Sequence, residues 1–434
     1  MKNLGKNFMR YVSLNVMGMI GLSCYILADT FFIAQALGTL GLAALNFSIV
    51  IFTAMNGIGL MIGIGGSIDF SMRRITSEGA GNRSFVHSLV IGAGFAAVLV
   101  VIGAFFSRPL AALLGADAQT LPMTQTYLQT VLCFAPLFIL NNIMVAFIRN
   151  DHNPKLAMIA MLVSSLSNVA LDYIFMFPLG MGMFGAAFAT GLSPLVSLAI
   201  LSLHLRKPHG FRLAKCKIKA RRILQILSFG FSSFIGEMAS AIALFAFNLI
   251  ILRIEGNVGV AAYGVIANVA IIVTAIFTGV AQGTQPLATQ CYAEGNQADA
   301  KKVLRYCLTT SIALAFALYA LIFLCTDQIV AFFNSEQNKT LATIAAQGVK
   351  IYFVGYFFAG INIVAAAFLS SIAKASQAML ISLLRSSIVL IPAVLGLSAW
   401  LGMTGVWLSF VVTEAIVCGF SGASLILFHR QTIA

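Results

Sequence analysis

Apolar residues run along this chain in stretches of roughly twenty, with neither the alternation of a half-buried strand nor the one-sided period of a surface helix. Cut at the polar breaks, the pattern predicts twelve helices, over residues 9–36, 41–72, 84–106, 122–149, 156–178, 183–206, 223–253, 258–291, 300–325, 342–373, 378–400 and 404–428. Most reach the roughly 18 residues that carry a helix across a bilayer. In hydrocarbon every backbone N–H and C=O must be satisfied internally, and a helix does this within its own segment. The expected fold class is an all-α polytopic membrane protein.

Composition removes the soluble alternative. A chain of 434 residues would suit two or three soluble domains, but 60% of it is hydrophobic and only 9% is charged. A soluble domain carries roughly 25% charged residues. The segment from Met1 to Arg10 is polar and the apolar run after it is too long for a signal peptide, so none is expected. The seven cysteines are scattered without a CxxC pair, and the five histidines fall in or beside predicted loops. No disulfide framework, zinc site or cofactor follows from them. No HExxH or GxSxG set lies in the spans, so an intramembrane enzyme is not expected.

The net charge of +13 is a matter of position. With twelve spans, Lys6, Arg10, Arg73, Arg74, Arg83, Arg149, Lys155, Lys301, Lys302, Arg305, Lys374 and Arg385 fall on one side, together with the basic loop RKPHGFRLAKCKIKARR. The other side keeps Arg108, Arg253, Lys339 and Lys350. The positive-inside rule then puts both termini and this loop in the cytoplasm; a plasma (inner) membrane is the expected location, and no nucleic-acid partner is expected.

That loop divides the chain into 1–206, a linker at 207–222, and 223–434. The two parts repeat. GTLGLAAL (38–45) matches GNVGVAAY (256–263), AMI (157–159) matches AML (378–380), and GMFGAAFA (182–189) matches GMTGVWLS (402–409), at offsets of 218, 221 and 220. Six helices on each side make a parallel repeat of two pseudo-symmetric lobes, as in alternating-access carriers.

Polar residues inside the spans carry the chemistry. In SNVALDYIFMFPLG (167–180), Asn168 and Asp172 are four apart and share one helix face. A carboxylate at a helix centre costs roughly 2.5–3.5 kcal/mol to insert. No Lys or Arg lies deep in the first six spans, which leaves a cation, a proton or an aqueous cavity to compensate Asp172. Glu237 lies on the stripe Ser233, Glu237, Ser240 of the seventh span, which suits a wet cavity, as does the more isolated Glu414. Asn46 and Thr53 share a face of the second span, and Gln282 lies on a polar face of the eighth. All are candidates for lining a substrate cavity. Asp69 and Arg73, four apart near a span end, read as a structural ion pair.

The chain resembles the MATE (multidrug and toxic compound extrusion) family of the MOP flippase group. The resemblance rests on the repeat and on ADTFFIAQALGTLGLAAL (28–45), SNVALDYIF (167–175), GMFGAAFATGLS (182–193) and QGTQPLATQCYAEGN (282–296), and it covers nearly the whole chain. It implies a secondary active multidrug efflux transporter that exports amphipathic, cationic compounds by Na+ or H+ antiport and works as a monomer. It also implies a cation site of an Asp in span one, an Asn and Asp in span five and a Thr in span six, here Asp29, Asn168, Asp172 and Thr190. Such oxygen donors suit Na+, and a close carboxylate pair can also hold a proton near neutral pH. The proline that many members carry about fifteen residues before the first Asp is absent; Ser13, Leu14 and Asn15 stand there. A flippase for lipid-linked intermediates is the alternative, and it would call for a basic central cavity.

Overall fold

The computed structural model describes residues 3–74, 80–206, 209–333 and 338–431, and the regular structure among them is helical throughout. Among the described residues, ten helices are long and apolar enough to cross a membrane. They begin with Leu4–Gly38 and Leu40–Arg74 and include Pro154–Met176, Gly182–Leu205, Ala220–Gly256, Val258–Ala293 and Lys339–Ser371. An eleventh crossing is the bent pair Leu121–Cys133 and Ala135–Asn150, which turn by 49° at Phe134. The sequence pattern reads this pair as one straight span. Pro136 sits in the first turn of the second piece, where a missing N–H costs nothing, and the helix restarts there. The last helix, Ala375–Phe428, has 54 residues. At 1.5 Å per residue that is more than twice a bilayer core of roughly 30 Å. It breaks at Gly402, which makes twelve crossings.

The breaks fall on the sequence repeat. Gly38 has φ 63° and ψ −152°, and Gly256 has φ 61° and ψ −152°. Gly182 and Gly402 have φ 57° and 58°. Each opens one of the matched strings, and each backbone conformation is one that only glycine holds without strain. The repeated letters are repeated hinges between helices.

Contacts divide the chain into two compact units. The amino-terminal unit is Ser13–Met238 with Tyr292–Gly295; the carboxy-terminal unit is Ala239–Cys291 and Asn296–Ala434 with Met1–Val12. This differs from the expected 1–206, 207–222 and 223–434 division at the starts of spans one and seven. The reason is glycine. A Cβ on Gly230 would run into the Met61 carbonyl and one on Gly65 into that of Ile226, so the start of span seven lies backbone-to-backbone on span two. Likewise, a Cβ on Gly283 would meet Val12 Cα at 2.8 Å and the Tyr11 carbonyl at 2.9 Å. Positions 65 and 283, and 12 and 230, are each 218 apart, so the two contacts are one contact used twice.

The linker is a strap on the amino-terminal unit. Phe211 is fully buried against Phe85 (ring centroids 4.7 Å), Phe147 (5.5 Å) and Phe70 (6.0 Å). The Gly210 N–H donates to Asp151 Oδ2 at 2.7 Å, the Arg212 N–H to Asn82 Oδ1 at 2.8 Å and the Lys219 N–H to His87 Nε2 at 3.2 Å. His204 and Arg74 close on the same Asp151 carboxylate, at 2.9 and 3.0 Å. Asp69 keeps Arg73 at 2.7 Å, as the four-residue spacing predicts.

Candidate cation and substrate site

Spans one, five and six gather a buried polar cluster inside the amino-terminal unit. Span one approaches span five through Gly18 and Gly21, where a Cβ would press on Met161 and Leu162. Span five is pinned to span six by the Ser164 hydroxyl, which donates to the Ser193 carbonyl at 2.7 Å. This packing turns inward the four side chains of the resemblance. Asn168 and Asp172 are fully buried, and Thr190 and Asp29 are 2% and 6% exposed.

Asn168 is the connector. In one amide orientation its Nδ2 lies 3.5 Å from the Thr190 hydroxyl. Turned over, both ends are satisfied: the nitrogen donates to Asp172 Oδ2 at 3.1 Å and the oxygen accepts from the Thr190 N–H at 3.3 Å. One oxygen of each carboxylate, Asp29 Oδ1 and Asp172 Oδ1, is buried without a hydrogen-bond partner. A buried charge left this way is strongly unfavourable unless a proton or cation meets it. Among the described residues no group of three or more His, Cys, Asp or Glu assembles, so the donor set is two carboxylates with neutral oxygens around them.

Two tyrosines that sequence reading passed over belong here. Tyr127, 3% exposed on the fourth crossing, hydrogen-bonds the Thr190 side chain. Tyr25 lies within electrostatic reach of Asp29, Asp172 and Glu237. It stands one turn before Asp29, so the four-residue spacing that joined Asn168 to Asp172 would also have found it. Arg149 is the buried basic side chain of the fourth crossing. It ends its helix as expected, yet it is 1% exposed and donates to Asn15 Oδ1 at 2.9 Å, beside the place of the missing proline.

The proposed cavity residues separate. Glu237 is half-buried and hydrogen-bonds Asn56, which in turn accepts from Asn142 Nδ2 at 3.0 Å. It thus belongs to the amino-terminal unit despite lying in the seventh span. Ser233 is half-buried on the same helix, and the Ser240 side chain lies outside the described residues. Asn46 is exposed and Thr53 half-buried.

Two readings are corrected. Glu414 is no open acid: it is 2% exposed and clasped by Arg385, whose Nη2 reaches Oε1 at 2.8 Å and whose Nε reaches both oxygens at 3.0 Å. Asn362 adds Nδ2 to Oε2 at 2.7 Å and takes the Ser421 hydroxyl at 2.8 Å. Arg385 does not turn to the interface because a wide π-helical turn, Leu384–Ile388, carries it. Gln282 is 7% exposed beside the tight Gly283–Val12 contact, and so is packed inside the carboxy-terminal unit.

Comparison with known proteins gives one consistent picture. The MatE family model matches residues 15–174 and 233–395. The multidrug export protein MepA of Staphylococcus saprophyticus is 24% identical over 397 residues, covering 90% of this chain and 86% of that one. MepA of Staphylococcus aureus is 25% identical over 398 residues, with the same coverage. Among solved structures, an outward-facing multidrug resistance MATE family transporter of the MOP superfamily aligns with TM-score 0.91 at 21% identity, covering 99% of this chain and 96% of that one. A MOP superfamily transporter from Pyrococcus furiosus, described as having a binding pocket of reversed polarity, aligns with TM-score 0.92 at 21% identity, covering 99% and 97%.

Proposed function

Because the chain belongs to the MatE family, we propose that it is a secondary active exporter of small amphipathic organic cations, driven by inward movement of Na+ or H+ through alternating access. The observation that carries this is the pair of buried, unpartnered carboxylate oxygens on Asp29 and Asp172. They sit where a hard cation finds oxygen donors and where a proton finds a shared acceptor. Thr190 offers a further oxygen, and Asn168 and Tyr127 hold the group in place. The multidrug export activity in the names of the staphylococcal relatives supports a small organic cargo. Glu237, partly open and held by a neutral amide, supplies the counter-charge for that cargo. Both termini and the strap face the cytoplasm in this reading, in keeping with the side on which the basic residues gather.

The test is uptake of a fluorescent cationic dye into inverted vesicles, energised in turn by a Na+ and by a pH gradient. One gradient drives uptake in the wild type, and Asp172→Asn abolishes it at normal expression. Asn168→Ala, which removes the group that orients Asp172, weakens ion affinity by roughly 10–100-fold, and Thr190→Ala has the smallest effect. Full dye uptake by a well-expressed Asp172→Asn protein would sink the cation-site assignment.

A further inference from the structure

At the start of span seven the chain does something electrostatically unfavourable. The positive end of a helix dipole stabilises anions, yet the first turn of the helix beginning at Ala220 holds no acid and is occupied by Arg221 and Arg222, directly after Lys219. These three line a cavity of about 350 Å³ together with Arg73 and Gln225. Asp69, the acid that meets Arg73, is spent: its Oδ1 holds Arg73 at 2.7 Å and its Oδ2 the Ser84 hydroxyl at 2.6 Å. Arg222 lies within electrostatic reach of Arg73 and Arg83 as well as of Asp69, so one carboxylate faces several cations. Among the described residues no ion pair neutralises Lys219, Arg221 or Arg222. Gln225 accepts from Arg73 Nη2 at 3.1 Å, which leaves its N–H groups as donors.

Scattered positive charge at a membrane surface needs no ligand. Here four cations converge on one cavity, and the strap holds them there, because the Lys219 backbone is tied to His87 and Phe211 is locked into the core. The flanking apolar residues name the partner. Ile218 and Leu224 are 44% and 68% exposed on either side of the basic run, and Leu213 of the strap is 77% exposed. Exposed apolar side chains interleaved with Lys and Arg fit the headgroup boundary of a bilayer.

We propose that the cavity formed by Arg73, Lys219, Arg221, Arg222 and Gln225 binds the phosphate of an acidic phospholipid, with an acyl chain running over the apolar residues beside it. This rests on the membrane-spanning architecture and not on the export reading, so lipid binding, not transport, is the measurement.

The full chain in mild detergent is titrated with phosphatidylglycerol or phosphatidylcholine, and bound lipid is counted by native mass spectrometry. The wild type retains phosphatidylglycerol selectively. At roughly 1 kcal/mol per basic residue and 1.4 kcal/mol per decade, Arg221→Gln with Arg222→Gln weakens that binding about thirty-fold. Lys219→Gln, which keeps the backbone bond to His87, weakens it about fivefold by the same conversion. Arg221→Lys with Arg222→Lys keeps most of it. An equal loss on replacing Lys301 and Arg305, which do not line the cavity, would mean diffuse surface charge and overturn the site. Stabilisation of the wild type by inorganic phosphate in phosphatidylcholine, as strong as that given by phosphatidylglycerol, would overturn the lipid assignment in favour of a soluble anion.

Discussion

At Glu414 the carboxylate is satisfied on both oxygens, whereas Asp29 and Asp172 each leave one oxygen without a partner. The same functional group therefore has two uses in one chain. Removing one member of a buried ion pair strands the other, at roughly 3–5 kcal/mol, while replacing both is far milder. Arg385→Met should lower the melting temperature of the purified protein strongly, and Arg385→Met with Glu414→Gln should recover most of the loss. If the double variant is no better than the single one, the pair is not the reason Glu414 is tolerated there. Glu237 behaves differently. It is half-buried, and its hydrogen bond among the described residues is to the neutral amide of Asn56, so Glu237→Gln should leave stability within about 1 kcal/mol. It should slow export of cationic compounds more than that of neutral ones, in parallel uptake assays. A uniform loss across compounds would place Glu237 in the coupling path. Asn168 with Asp172 was legible in the sequence because both lie on one helix, at a fixed offset. Arg385 with Glu414 was not, because that pairing is made by the packing of two helices and leaves no periodic trace along the chain.

Among the elements, the spans follow from the sequence directly, since length and hydropathy set them, while the glycine hinges that open the repeated strings show only in the backbone angles. What the pattern does not reveal is which glycines are contacts. Gly230 and Gly236 sit in the same helix and look alike in sequence, but a Cβ on Gly230 meets the Met61 backbone, while one on Gly236 meets nothing within 4 Å. Gly230→Ala should destabilise by about 1–3 kcal/mol or more, since the obstructing group is backbone and cannot turn aside. Gly236→Ala should be neutral or stabilising by up to about 1 kcal/mol. Thermal unfolding of the two variants, measured side by side, checks both. The strap escaped sequence reading for a similar reason. RKPHGFRLAKCKIKARR reads as a charged loop, and its one decisive residue, Phe211, is a single aromatic amid eight basic side chains.

For the whole molecule, charge position carries the orientation. In a background lacking the seven native cysteines, Lys215→Cys should react in intact cells only with a permeant thiol reagent, while a cysteine at exposed Leu113, in the last turn of the third span, should react with an impermeant one. The reverse pattern would invert the topology. The shared contact at positions 12 with 283 and 230 with 65 reaches further than stability. The first helix of each half lends its opening turns to the opposite unit, as in an exchanged dimer. A gene cut at the linker would thus yield two fragments, neither able to complete its own interior. Expressed separately, each would lack the helix end that its glycine groove was shaped to receive. Expressed together, they would have to exchange these helix ends before either interior was complete.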